Sequence, residues 1–175
     1  MSNTIWTIGH STRSIIEFKS IISNFGIEIV ADVRSFPGSR KFPQFNKEVM
    51  EQWLKESGFG YVHYKNLGGR RKMKTDSNNK GWRLAAFRGY ADYMETQEYK
   101  TALKELEKLA KDNKVAYMCS EAVWWSCHRS LISDDLKNKG WEVIHIMNAG
   151  TSMEHPYTKP AKIIEGKLTY PEELI

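Results

Sequence analysis

The chain has 175 residues, of which 41% are hydrophobic and 27% charged, enough for one domain spanning 1–175 with a core of its own. That balance points away from disorder, and apolar runs such as EIVADV are too short to cross a bilayer; with no basic and apolar leader at the N-terminus, a cytoplasmic protein is expected. A net charge of +5 favours anionic partners, nucleotides or nucleic acid among them, and in that compartment the two cysteines, Cys119 and Cys127, are expected as thiols.

The first run, TIWTIG, is short, apolar and closed by Gly9, so a strand is predicted; SIIEFKSIISNF follows at helical spacing and stops at Gly26. EIVADV repeats the pattern as a second strand, then a loop RSFPGSRKFPQF leads to Asn46, a candidate cap for the helix KEVMEQWLKES. GYVHY is the third strand. The Gly-rich, basic stretch from Lys65 to about Arg88 is aperiodic, and connections of that length more often carry function than not.

Thr96 is a candidate cap for QEYKTALKELEKLAKDN, in which Leu103, Leu106, Leu109 and Ala110 form one apolar stripe for the core. KVAYMC is the fourth strand, CHRSLISDDLKNKG a helix ending at Gly140, and WEVIHI the fifth strand. AKIIEGKLTY reads as a small C-terminal hairpin turning at Glu165 and Gly166. The fold class expected is therefore α/β, a single domain with a mostly parallel five-stranded sheet, helices on both faces and that hairpin.

Such sheets bind ligands beyond the C-terminal ends of their strands. Those ends carry His10, Ser11 and Thr12, then Asp32, Arg34 and Arg40, then Cys119 through Arg129, so one polar rim is expected. The segments TIGHSTRS, DVRSFPGSRKFPQFN, LGGRR, FRGYADYM, CSEAVWWSCHRS and GKLTYP occur in order along nearly the whole chain, and with them it resembles the domain of unknown function family 488 (DUF488). The resemblance implies an α/β fold with functional cysteines and supplies no reaction.

Within VAYMCSEAVWWSCHRS the strand, cysteine loop and Arg-Ser helix start are ordered as in rhodanese and cysteine-phosphatase loops, although Arg129 lies further from Cys119 than those loops place it. Cys127, beside His128 and Arg129, is the other candidate nucleophile. Glu121 follows a core strand and either reaches solvent, pairs with Arg34 or Arg129, or is desolvated into general acid-base work. Candidate catalytic residues are thus Glu121, Cys119, Cys127, His128, His10 and Asp32.

Candidate substrate contacts are Ser11, Arg34, Arg40, Arg70, Arg88, Arg129 and Ser130, whose forks and hydroxyls suit phosphate, with Trp124 and Trp125 either stacking on a base or roofing the core. Neither a C-x-x-C pair, a P-loop nor a dinucleotide fingerprint is present, so no metal and no cofactor are expected. The leading expectation is a hydrolase acting on a nucleotide or nucleic acid, with cleavage of a base's glycosidic bond, as in DNA repair, as one variant. The alternatives are a thiol enzyme acting on a small anion and a nucleic-acid-binding module without catalysis.

Overall fold

The computed structural model describes residues 3–174, and in it the β-branched and apolar runs line up side by side as strands. They are β1 (Thr4–Gly9), β2 (Ile29–Asp32), β3 (Gly60–His63), β4 (Val115–Cys119), β5 (Glu142–Asn148) and β6 (Thr151–Glu154), with a separate pair β7 (Lys162–Ile164) and β8 (Lys167–Thr169). Between them run α1 (Ile15–Asn24), α2 (Lys47–Glu56), α3 (Ala85–Tyr93), α4 (Gln97–Asp112) and α5 (Arg129–Asn138). The large sheet has the order β3-β2-β4-β1-β5-β6. Its first five members are parallel neighbours, and β6 adds antiparallel to β5. The sheet is therefore mixed and six-stranded, not mostly parallel and five-stranded. β6 escapes sequence reading because TSME is exposed along its whole length and has no apolar alternation.

Local chemistry sets the helix ends. Ser14 and Glu17 form a reciprocal capping box on α1, and Thr96 accepts the Tyr99 N–H at the start of α4. Asn46 does occupy the cap position of α2, but its side chain accepts the Ser39 N–H at 2.6 Å instead, fastening the preceding loop. The hairpin turns at Glu165 and Gly166, both with positive φ (50° and 79°), as a two-residue hairpin loop requires.

Strand alternation divides the core. Val115, Tyr117 and Cys119 of β4 face one way, with the buried residues of α3, α4 and α5. Ala116 and Met118 face the other, against Phe18, Ile21 and Ile22 of α1 and Met50, Trp53 and Leu54 of α2. Helices thus cover both faces. Connections toward β3 pass over the α1 and α2 face, and those in the opposite direction over the α3, α4 and α5 face, so all four crossovers share one hand.

This winding locates the crevice. The chain leaves β1 for one face and leaves its neighbour β4 for the other, so the C-terminal ends of β1 and β4 splay apart, the topological switch point where such sheets bind ligands. The long connection after β3 is tied to α3: Asp92 accepts from the Ser77 hydroxyl, the Asn79 amide and the Lys74 backbone N–H. That clamp delivers Gly69 and Arg70 to the crevice. Among the described residues no helix is long and apolar enough to cross a membrane.

Candidate active site

Past the last residue of β1 the ladder continues: His10 N–H donates to the Cys119 carbonyl and Ser11 N–H to that of Ser120, each at 2.9 Å. Gly9 makes this approach possible, since a side chain there would collide with the Glu121 carbonyl. Above the junction opens a cavity of about 370 Å³. Cys119 and Cys127, 3% and 7% exposed, form its floor. His10, Arg34 and Phe42 stand on one side, Phe87, Tyr90 and His128 on the other. Exposed Glu121, Arg70 and Phe36 line the outer part.

The two sulfur atoms lie 2.9 Å apart, within reach of one guanidinium. Arg129 Nε donates to Cys119 Sγ at 3.1 Å and to Cys127 Sγ at 3.3 Å, while the Arg129 backbone N–H, at the positive end of α5, points at Cys127 Sγ from 3.4 Å. Burial alone would raise the Cys127 pKa. The hydrogen bond from Cys119, then the Arg129 charge, outweigh it and hold Cys127 well below the ordinary thiol value. Burial and the donated hydrogen bond push Cys119 the opposite way. The two directions make Cys127 the sulfur that gives up its proton more readily, with Cys119 as the donor between them.

Arg129 itself is 1% exposed, and each of its terminal nitrogens also donates, Nη1 to Thr7 Oγ1 (3.0 Å) and Nη2 to the Glu121 carbonyl (2.6 Å). It does not line the cavity, so the expected place among the substrate contacts is corrected: its Nε–H is directed at the two sulfurs instead. Ser130 is also buried, and its hydroxyl donates back to the Cys127 carbonyl at 2.9 Å, fixing the turn that presents the thiol.

Asp32 is fully buried and cannot meet a substrate. Its carboxylate accepts Arg34 Nε and Nη2 at 2.9 and 2.7 Å and the Tyr61 hydroxyl at 2.6 Å, so it orients Arg34. Arg34 in turn reaches His10 Nε2 at 3.2 Å and the Phe45 carbonyl at 2.7 Å. His10 is accounted for on both nitrogens, since Nδ1 donates to the Ser11 carbonyl at 2.9 Å. Burial, then the Arg34 charge, lowers it to about 4, and its ring stacks on Phe45. It serves as a neutral wall. His128 differs: Nε2 donates to the Val33 carbonyl at 2.7 Å, burial holds its pKa below the ordinary imidazole value, and Nδ1 is left as an acceptor in a ring that lines the cavity.

The other expected contacts scatter. Glu121 reaches solvent at the cavity edge, where only its backbone carbonyl meets Arg129. Arg70 lines the cavity, in the left-handed region at φ 61°. Ser11 and Arg40 do not line it, and Arg88 braces the Trp82 carbonyl at 2.9 Å. Trp124 is buried and stacks on His145 with centroids 4.5 Å apart; Trp125 is 53% exposed and outside the cavity. Among the described residues no three His, Cys, Asp or Glu side chains gather as a metal site.

Sequence reasoning missed what lies behind Arg129. Thr7 Oγ1 meets His145 Nδ1, His145 Nε2 meets His155 Nδ1, and His155 Nε2 meets Asp134 Oδ1, each at 2.8 Å. The available signal was a histidine at a core position of the fifth strand, in VIHI.

In comparisons with known proteins, the family model described as Domain of unknown function DUF488 matches residues 14–136. No curated protein and no solved structure matches the chain.

Proposed function

The chain belongs to the DUF488 family, whose description assigns no reaction, and we propose that it is a hydrolase acting on an anionic nucleotide or nucleic-acid substrate with the Cys127 thiolate as nucleophile. The observation that carries this reading is the Arg129-held Cys127 and Cys119 pair at the floor of a cavity of about 370 Å³. A thiolate is the attacking form, and a fixed guanidinium keeps it ionised at neutral pH. Phe36, Phe42, Phe87 and Tyr90 suit a flat ring, and Arg70 at the edge suits the attached phosphate.

In the first step Cys127 Sγ bonds to the electrophilic atom of the substrate as the leaving group departs with its electron pair. In the second, water loses a proton to His128 Nδ1 and attacks the same atom, returning the electron pair to Cys127 Sγ. Nucleotides and short single- and double-stranded oligonucleotides, incubated with the protein and read by mass spectrometry, test the proposal. Turnover by the wild type, its loss in Cys127→Ser and after Cys127 alkylation, and a substrate adduct on the wild-type protein are the expected results. Full turnover by Cys127→Ser overturns it.

The position of Glu121 supports one second reading, because its carboxylate belongs to a residue that lines the same cavity. There it would assist cleavage of a glycosidic bond, and the same assay would show a loss in Glu121→Gln with Cys127→Ser still active.

A further inference from the structure

The groups behind Arg129 can be ordered by their donors and acceptors alone. A guanidinium only donates, so Thr7 Oγ1 accepts from Arg129 Nη1. The Thr7 hydroxyl proton then has one acceptor within reach, His145 Nδ1, which must be unprotonated. His145 therefore carries its proton on Nε2 and donates to His155 Nδ1; His155 likewise donates from Nε2 to Asp134. Every bond points the same way, from the cation to the carboxylate. Burial, then His155 and Arg129, lower His145 to about 2, in keeping with a neutral ring.

The far end is anchored from three sides. Asp134 accepts the Thr158 N–H at 2.9 Å, the Thr158 hydroxyl at 2.5 Å and the Tyr170 hydroxyl at 2.9 Å. Thr7, Asp134, His145 and His155 are all fully or almost fully buried, and Trp124 covers His145. Such a set is costly to bury unless satisfied, and each of its links is.

The chain cannot deliver a proton to the sulfurs, because a guanidinium in a protein does not give its proton up. What it can do is fix an angle. Arg129 is held at Nη1 by Thr7, at Nη2 by the Glu121 carbonyl and, through what remains, aims Nε between the two sulfurs. We propose that Thr7, His145, His155 and Asp134 are positioning residues for the Cys127 site, a one-way hydrogen-bond chain that locks the Arg129 guanidinium onto the thiolate. The inference rests on the thiolate reading given above. The groups that face Cys127 are Cys119 of β4, His128 and Arg129 beside it, Tyr117 of β4 and Tyr90 of α3; of these only Arg129 is bonded to Thr7, so a change at Thr7 reaches Cys127 through the guanidinium.

The pH dependence of Cys127 alkylation by iodoacetamide, followed by peptide mass spectrometry, is the test. Thr7→Val keeps the shape and removes both links, whereas Thr7→Ser keeps the hydroxyl. Thr7→Val is expected to raise the alkylation midpoint by about one pH unit and, well below the wild-type midpoint, to slow labelling by roughly tenfold. Thr7→Ser stays with the wild type, and Asp134→Asn, which acts from the far end and serves if Thr7→Val does not fold, shifts the midpoint in the same direction by less. Folded Thr7→Val or Asp134→Asn protein with a wild-type midpoint overturns the inference, even if its melting temperature falls, since packing alone would give that. A wild-type midpoint at the ordinary thiol value overturns the thiolate reading instead.

Discussion

At Arg129 the physics of one residue organises the site. A cation at 1% exposure needs an anion in contact, and Cys127 Sγ meets that need. Arg129→Met, similar in length but uncharged, is therefore expected to return Cys127 toward an ordinary thiol, cutting alkylation at neutral pH by roughly tenfold or more, as a labelling time course would measure. The adjacent thiol gives a second outcome. Hydrogen peroxide should oxidise the Cys127 thiolate to a sulfenic acid with release of hydroxide, and the Cys119 sulfur, 2.9 Å away, should then displace the sulfenic hydroxyl, which leaves as water with the Cys119 thiol proton, to give a disulfide. Intact mass would then show two hydrogens lost and no free thiols, whereas Cys119→Ser should stop at the sulfenic acid; a wild type that accumulates sulfenic acid would contradict the pairing. The sequence made part of this legible, because Cys119, Cys127, His128 and Arg129 fall in one segment. Thr7 and His145 stand 138 positions apart, and no local pattern announces that a threonine in one strand will meet a histidine in another.

Among the elements, those with a periodic apolar face were readable: α1, α2, α4 and the strands β1, β2, β4 and β5 all appear where spacing put them. Where a segment has neither an apolar run nor an apolar alternation, reading fails, as for β6, whose residues are all exposed. The loops carry the rest of the site, and their geometry depends on tertiary ties such as Asp92 on the segment before α3. The junction of β1 with the cysteine loop is the most constrained of these ties. Gly9→Ala would drive a methyl into the Glu121 carbonyl and disturb the acceptor of Arg129 Nη2. A loss of about 2 kcal/mol or more by urea unfolding is expected. Slower Cys127 alkylation should accompany it. Glycine here reads as a strand end in sequence, and only the register of β1 with β4 shows that it is also a close approach.

Taken as a whole, the molecule buries neutral imidazoles on both sides of its sheet, and this fixes how it responds to acid. His10, facing Arg34, Asp32 and Arg13, is lowered from an ordinary 6.5 to about 4. Between those values the unfolded chain binds a proton that the folded chain refuses, so stability must rise with pH across the window and fall as pH drops through it. The stabilisation is complete above about 6.5 and is lost toward about 4, a change on the order of 3 kcal/mol for His10. His145, lowered to about 2, acts with the same sign and extends the decline to lower pH. The Cys127 thiolate also acts with that sign, over a window that starts in the ordinary thiol range and runs downward from it. Urea midpoints measured from neutral pH to about pH 4 should fall steadily in the wild type, and His10→Asn should make that slope shallower between about 6.5 and about 4. A wild-type midpoint that stays constant over the window would mean that His10 takes up its proton in the folded state without cost. Its stacking on Phe45 and its bond from Arg34 would then not describe the molecule in solution.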